Sequence, residues 1–199
     1  MNSTNTQKTL DTQHELKIFS RTFIGSFSEY LVYLFLKRIN ARKLQLTPCS
    51  EKEYLNDLLS EINNVLQSNC EIRFRYHVSQ NHKHPDIDIA ITSDTQNIIG
   101  ISVKNGHLRG DFRDIKKEFY VAKEHGFKCF VVLVNFLKNI DLISEIANTR
   151  NQLNVEGELS VYFVDLKDFV ECLIDNIQKQ DKEFSLPMPK EELLYILDY

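Results

Sequence analysis

The sequence has few of the residues from which several common kinds of site are built. It has six glycines and no glycine-rich loop, so a loop that surrounds a nucleotide phosphate is not indicated. Its four cysteines are far apart and form no CxxC pair, so a zinc site is not indicated and we expect all four thiols to be reduced. The six histidines form neither an HExxH nor an HxxxH pattern. A mononucleotide-binding fold and a zinc-dependent protein are therefore disfavoured.

Long apolar runs are also absent. No run approaches the roughly 18 residues that cross a bilayer, and the polar first residues lack the hydrophobic part of a signal peptide. We therefore expect a soluble, cytoplasmic protein without membrane contact. With 199 residues and 42% hydrophobic content, the chain has the size of one domain with small additions. We predict a loose segment over residues 1–15, one domain over 16–180, and an appendage over 181–199 that docks on the domain or binds a protein partner.

Positive charge is not in excess, since the net charge is −4. A protein that binds nucleic acid through its overall charge is therefore not indicated. The charge is uneven, however, because residues 101–125 contain six Lys and Arg against four Asp and Glu. This segment is compatible with phosphate contacts, although a solvated helix face has the same pattern. The candidate nucleic-acid-binding residues are Arg109, Arg113, Lys116 and Lys117.

The hydrophobic periodicity predicts alternating helices and strands. Two helices come first, over residues 18–39 and 50–67, and three short strand-like stretches with turn residues between them follow as a predicted meander. A helix over about 111–125, closed by Gly126, precedes a continuous apolar run over 127–137 that is typical of a strand buried on both faces. A further helix, strand and helix complete the core. The sequence thus predicts an α/β fold with a mixed central sheet flanked by helices.

Carboxylates and a lysine are expected to meet where the second and third strands pair. Residues two apart share one face of a strand, so Asp86 and Asp88 are predicted to point to one side and Ile87 to the other. Ser102 and Lys104 share a face of the next strand by the same rule. A hairpin across the intervening turn would bring Asp88 and Lys104 to the same end of the sheet.

This order of elements, with Pro85-Asp86 on one strand and Lys104 on the next, resembles the restriction-endonuclease-like superfamily, or PD-(D/E)XK nucleases. The resemblance extends over residues 18–137 and implies a restriction-endonuclease-like core in αβββαβ order with C-terminal additions. In that family, an Asp on the second strand and an acid two residues before the Lys bind Mg²⁺, for which Mn²⁺ can substitute. The Lys polarises the attacking water or the phosphate. Here Ser102 replaces the second acid.

The resemblance leaves two interpretations of Ser102. Some restriction enzymes have Ser-x-Lys on the strand and take the carboxylate from the following helix, thirteen residues beyond the Lys. In this chain thirteen residues separate Lys104 from Glu118. The other interpretation is that activity has been lost, and that the chain is a nucleic-acid-binding or assembly module of the same fold.

A further acid, Glu29, is the only one in the apolar first helix. Because an unpaired buried carboxylate costs several kcal/mol, Glu29 should have a cationic partner, a metal ion or a raised pKa. Many members of the superfamily have a metal-binding Glu on this helix. A Glu that reaches solvent or makes a core hydrogen bond is the alternative.

From the resemblance we expect a Mg²⁺-dependent DNA endonuclease of restriction or anti-phage type. A nuclease that cuts both strands is often a two-fold dimer, so a homodimer is an expectation, although no residue identifies its interface. The candidate catalytic residues are Asp88, Lys104, Glu118, Asp86 and Ser102, and the candidate metal ligands are Asp88, Glu118 and Glu29.

Overall fold

A five-stranded mixed sheet with helices on both faces forms the centre of this computed structural model. The structure describes residues 3–48, 51–78, 86–94, 96–108, 112–156 and 159–198, and only the backbone of residues 3–22. The elements are α1 (Ser3–Arg42), α2 (Glu53–Leu66), β1 (Glu71–Tyr76), β2 (Ile87–Thr92), β3 (Asn97–Lys104), α3 (Arg113–Glu124), β4 (Cys129–Val134), a 3₁₀ helix (Leu137–Leu142), α4 (Ile143–Glu156), β5 (Ser160–Asp165), α5 (Leu166–Gln180) and α6 (Lys190–Asp198).

The first three strands form an antiparallel meander, and the last two strands run parallel to the third. The order across the sheet is β1-β2-β3-β4-β5, with parallel pairing of β3 with β4 and of β4 with β5. Parallel neighbours require a crossover connection, which α3 provides between β3 and β4 and α4 provides between β4 and β5. The predicted meander and mixed sheet are confirmed.

Strand β4 lies between two hydrophobic layers and is buried over its whole length. One face of the sheet packs against α1, α2, α5 and α6, and the other against α3 and α4. Val131 belongs to the first layer and its neighbour Val132 to the second. The continuous apolar sequence of β4 follows from this burial on both faces, as predicted.

Helix α1 is 40 residues long and begins at Ser3, well before the predicted start at Ile18. The segment predicted to be loose therefore has a helical backbone, while the division into domains stays a prediction. Farther along, α1 contacts β1, β2 and β3 on one side and α5 and α6 on another, which agrees with its nearly all-round apolar sequence. Within the described ranges, no helix is long and apolar enough to cross a membrane.

Helix α3 ends where Gly126 takes a left-handed conformation with φ of 74°. Its N–H donates to the carbonyl of Lys123, and the N–H of Phe127 donates to the carbonyl of Ala122. Glycine adopts this conformation without the strain that a Cβ atom would cause. The predicted glycine at the end of this helix is confirmed.

The C-terminal helix α6 packs against α1 and α5. Leu193 and Leu197 are buried in the same hydrophobic layer as those helices. Lys190 Nζ at the start of α6 lies 2.6 Å from Asp175 Oδ1 on α5. The predicted appendage therefore docks on the sheet domain, and its binding to a protein partner stays a prediction.

The expectation of four reduced cysteines is wrong for Cys172, which is disulfide-bonded. Cys70 and Cys129 have free thiols. Burial in β4 raises the pKa of the Cys129 thiol, and a thiol that stays protonated is a poor nucleophile. The wide sequence spacing of the cysteines did not exclude a disulfide, because the fold brings distant segments together.

Truncation of a buried leucine in α6 should destabilise the domain. Leu197→Ala removes a side chain that is 1% exposed, and the resulting cavity should lower the free energy of unfolding by about 2–5 kcal/mol. The control is Val155→Ala on α4, where the side chain is 88% exposed and the expected change is below about 0.5 kcal/mol. Urea denaturation followed by circular dichroism measures both. Equal stability of the two variants would show that α6 lies outside the cooperative unit.

Candidate active site

Strands β2 and β3 separate at one end, and the Asp88 carboxylate replaces the missing main-chain acceptor. The last pair of the ladder at this end is Ile89 with Ile101. Beyond it, the N–H of Val103 donates to Asp88 Oδ2 at 2.8 Å, and Ser102 Oγ lies 3.5 Å from the same oxygen. Because a buried N–H group requires an acceptor, Asp88 stabilises the shape of the sheet at this point.

Lys104 lies between two carboxylates from different elements. Its Nζ is 2.7 Å from Glu118 Oε1 and 3.9 Å from Asp88 Oδ2. Helix α3 orients Glu118, because Ile115 and Phe119 on either side of it in sequence are buried against the sheet. The side chains of Lys104 and Glu118 are only 20% and 19% exposed. The structure thus brings Asp88, Lys104 and an acid from the following helix together, while their roles stay predictions.

The second oxygen of Glu118 is left without a partner. Its Oε2 is buried and has no hydrogen-bond partner within the part of the chain that the structure describes, although the nearby Ser102 hydroxyl lowers the pKa of this carboxyl. A buried polar atom without a partner is destabilising, and more so when it belongs to a charged group. This oxygen is therefore available to a cation or to a water molecule.

The pKa shifts in this cluster reflect burial together with the charges of the neighbouring groups. Burial raises the pKa of Glu118, Lys104 lowers it, and Asp88 raises it again, so that the net shift is upward. For Lys104, burial lowers the pKa, but the charges of Glu118 and Asp88 outweigh burial and raise it. Burial is therefore the main reason that Glu118 holds its proton more firmly, whereas the neighbouring carboxylates are the reason for Lys104.

Glu29 extends the same acidic region from α1. Its Oε2 accepts hydrogen bonds from Arg75 Nη2 at 3.3 Å and from Arg75 Nε at 3.4 Å. Burial and the charge of Asp88 raise the pKa of Glu29, while Arg75 and Lys104 lower it. The expectation that this acid has a cationic partner or a raised pKa is confirmed on both counts. The influence of Asp88 places Glu29 within electrostatic reach of the cluster.

Asp86 occupies a different position from Asp88. It precedes β2, and its Oδ2 accepts a hydrogen bond from the N–H of Val78 at 3.0 Å. The predicted alternation is wrong at this end of the strand, because Ile87 packs in the layer of α3 whereas Ile89 packs in the layer of α1. Residues two apart share a face only along a regular strand, so their spacing in sequence does not place Asp86 beside Asp88. The carboxylate of Asp86 supports the connection between β1 and β2.

The basic segment borders the cluster at the start of α3. Arg113 and Lys117 are exposed and Lys116 is half-buried, while Arg109 lies outside the described residues. Arg113 and Lys104 line the same cavity of about 250 Å³. Some of the predicted phosphate-binding residues thus lie next to the candidate catalytic lysine.

A buried amide network holds the loop that follows Lys104. Asn105 Nδ2 donates to Ser28 Oγ on α1 at 2.7 Å. Asn135 Nδ2, after β4, donates to Asn105 Oδ1 at 3.0 Å and to the carbonyl of Leu197 on α6 at 2.8 Å. The network therefore ties three distant elements to the residue after Lys104. No sequence signal indicated it, because its members are far apart and form no motif.

The acids present suit Mg²⁺ by their chemistry, since carboxylate oxygens are its preferred protein ligands. Asp88, Glu118 and Glu29 could provide them, and the unpartnered Oε2 of Glu118 fits a divalent cation. In the described part of the chain, however, no three His, Cys, Asp or Glu side chains are already arranged to hold a metal ion. Lys104 neutralises two of the acids instead, so metal binding requires it to move from at least one of them.

Comparison with known proteins found no relative of this chain. No protein-family model matches the chain, and no match was found among curated proteins or solved structures. The α/β architecture is shown by the structure itself. The resemblance to the restriction-endonuclease-like superfamily stays a prediction.

The hydrogen bond from Val103 to Asp88 predicts a difference between two substitutions. Asp88→Ala leaves a buried N–H without an acceptor and should lower the free energy of unfolding by about 1–3 kcal/mol. Asp88→Asn keeps an oxygen for this N–H and should cost less. Chemical denaturation in metal-free buffer measures both, with Asp94→Ala on an exposed loop as the control. Equal losses for Ala and Asn would show that the oxygen at position 88 does not stabilise the sheet.

Proposed function

We propose that the protein is a Mg²⁺-dependent DNA endonuclease with a restriction-endonuclease-like fold. The observation that carries the proposal is the contact of Lys104 with both Asp88 and Glu118 at the end of the β2–β3 hairpin. A largely shielded lysine among carboxylates from separate elements is the arrangement expected of a site that acts on a phosphate. The restriction or anti-phage role is supported by the resemblance only.

Phosphodiester hydrolysis requires neutralisation of charge on the phosphate and a water positioned for attack. A bound Mg²⁺ would supply positive charge and lower the pKa of a water molecule. Asp88, Glu118 and Glu29 would hold it through carboxylate oxygens. Mn²⁺ would substitute because it prefers the same oxygen ligands.

Lys104 would act as a donor to a phosphate oxygen or to the attacking water. Its raised pKa keeps Nζ protonated at neutral pH, so it stabilises negative charge and does not abstract a proton. Ser102 would support Asp88, since its Oγ lies 3.5 Å from Asp88 Oδ2. The acid that the strand lacks at position 102 would be provided by Glu118.

The DNA backbone would approach along the start of α3. Arg113 lines the cavity beside Lys104, and Lys117 is exposed on the same helix. Lys116 and Arg109 complete the proposed set of phosphate-binding residues. Cationic side chains next to a shielded acidic cluster would draw the backbone to the point where hydrolysis is proposed.

A nucleic-acid-binding or assembly module of the same fold, without catalysis, is the second candidate. It is favoured by the absence of a ready metal-binding group among residues that the structure describes and by the ion pairs that Lys104 makes with two acids. In that case Asp88, Lys104 and Glu118 would only stabilise the end of the β2–β3 pairing. Ser102 would stand where an active enzyme has its second acid. The nuclease and a nucleic-acid-binding module differ in cleavage and not in binding, whereas an assembly module need show neither.

The decisive test is incubation of the protein with duplex DNA, single-stranded DNA and RNA in Mg²⁺, in Mn²⁺ and in EDTA. We expect cleavage of duplex DNA that requires a divalent cation. Lys104→Ala should reduce the rate by about 10²-fold or more, because a donor to the developing charge is lost. Circular dichroism should accompany this variant, since it leaves two carboxylates without their cation.

The possible results separate the candidates. DNA binding without cleavage in every buffer would reject the nuclease and favour the nucleic-acid-binding module. The absence of both would reject these two and leave the assembly module. Cleavage by Lys104→Ala at the wild-type rate would point to a contaminating nuclease or to a different site.

A second prediction concerns the acid on α3. Glu118→Gln keeps the shape of the side chain but removes the charge proposed to bind Mg²⁺, and should lower single-turnover cleavage by about 10²-fold or more. Glu124→Gln, at an exposed position of the same helix, is the matched control and should retain activity. An active Glu118→Gln variant would leave Glu29 as the remaining candidate for the second acid.

Moving the acid back to the strand sharpens this test. The double variant Ser102→Glu with Glu118→Gln should recover part of the activity, because position 102 faces the cluster beside Asp88. Full recovery is not expected, since Ser102 is completely buried and a larger side chain there shifts its neighbours. Recovery would show that the two positions exchange the same role.

A further inference from the structure

Arg75, near the end of the edge strand β1, has a left-handed backbone conformation. Its φ is 49°, a region that residues with a large side chain rarely adopt. Its two neighbours pair with Ile89 and Ile87 of β2, so Arg75 interrupts the ladder opposite Asp88. A bulky residue in a strained conformation beside a candidate site suggests a function for its side chain.

The side chain of Arg75 reaches from β1 to α1. Its Nη2 donates to Ser26 Oγ at 3.0 Å and to Glu29 Oε2 at 3.3 Å. The guanidinium carbon lies 5.3 Å from the centre of the Phe74 ring. Arg75 therefore connects the edge strand to the acid of α1 that is proposed as a metal ligand.

The contact between Arg75 and Glu29 is weak by its geometry. Both nitrogens approach one oxygen, at 3.3 Å and 3.4 Å, whereas charge-assisted bonds of this kind are usually about 2.7–2.9 Å long. Arg73 on the same strand makes a shorter contact, 2.8 Å, with Glu71. The Arg75 side chain is also 46% exposed. Such a pair stabilises a fold only slightly, so stability does not explain an arginine at this strained position.

The charges around Arg75 are suited to the binding of a phosphate. The acids Asp88, Glu118 and Glu29 face the cations Lys104 and Arg75, and Lys104 is already held by two of the acids. The guanidinium of Arg75 is held by one hydrogen bond to Ser26 and by two long contacts with Glu29, and its side chain is 46% exposed. Its planar set of donors matches two oxygens of one phosphate better than the two separate oxygens it now contacts, one on Ser26 and one on Glu29.

We propose that Arg75 binds a backbone phosphate of the DNA and that this contact releases Glu29 to the metal ion. The assignment depends on the nuclease function proposed above. In the free protein, Arg75 and Glu29 neutralise each other. With DNA bound, the guanidinium exchanges two long contacts for a bidentate contact with phosphate, and Glu29 presents its full charge to the cation. By linkage, DNA and the divalent cation then strengthen the binding of each other.

The test compares Arg75→Gln with Arg73→Gln, its matched control on β1. Anisotropy of a short fluorescent duplex, in Ca²⁺ to prevent cleavage, is measured over a series of salt concentrations. Arg75→Gln should weaken binding several-fold and make the negative slope of log affinity against log salt less steep by about 0.9, as expected for one lost phosphate contact. Arg73→Gln should leave both unchanged, because its partner is Glu71.

Two further variants separate lost contact from damaged folding. Arg75→Gly accepts the left-handed conformation without strain and should show the same loss in affinity and slope. Arg75→Lys keeps the charge and should retain the slope, with weaker binding because the bidentate contact is lost. Calorimetry without DNA should show Mg²⁺ binding to Arg75→Gln at least as tight as to the wild type, since Glu29 is no longer paired.

The outcomes for Arg75 and for the nuclease are distinct. If the wild type binds DNA and both Arg75→Gln and Arg75→Gly keep its affinity and slope, the phosphate contact is rejected and the nuclease proposal stands. Weaker Mg²⁺ binding by DNA-free Arg75→Gln would reject the release of Glu29. A wild-type protein that neither binds nor cleaves DNA would overturn the nuclease and this assignment together.

Discussion

The hydrogen bond from the N–H of Val103 to Asp88 is the interaction on which the arrangement of the candidate site depends. It allows β2 and β3 to separate beyond the pair of Ile89 with Ile101 without leaving a buried donor unsatisfied. In the opened end of the hairpin, Lys104 reaches both Asp88 and Glu118. A ladder continued by main-chain bonds would leave the Asp88 carboxylate without this contact. The irregular end of the β2–β3 pairing therefore accommodates the polar cluster.

The second constraint is the balance of charge at this end of the sheet. Two cations, Lys104 and Arg75, face three carboxylates, and burial raises the pKa of both Glu118 and Glu29. Such a cluster attracts a further positive charge, and it keeps Lys104 protonated because the acids raise its pKa as well. Lys104 acts as the counter-ion of both Asp88 and Glu118.

Much of the architecture could be predicted from sequence, and the misses have local causes. The strand β4 was predictable because burial on both faces requires a continuous apolar sequence. The end of α3 was predictable because a residue with φ above zero is most often glycine. The meeting of Asp88 with Lys104 followed from the period of a strand and a short turn. Asp86 did not follow this rule because it precedes the regular strand. Cys172 was mispredicted because the spacing of cysteines along the chain does not report distances in space.

By itself, the sequence determined the order of helices and strands, the apolar layers and the residue types available for chemistry, because these depend on periodicity and composition within short segments. Tertiary structure decided the contacts that no motif spacing indicated. The bridge from Arg75 to Glu29 and the amides around Asn105 join segments that are distant in sequence. Their contacts depend on how strands end and how helices pack on the sheet, and no local pattern encodes those distances.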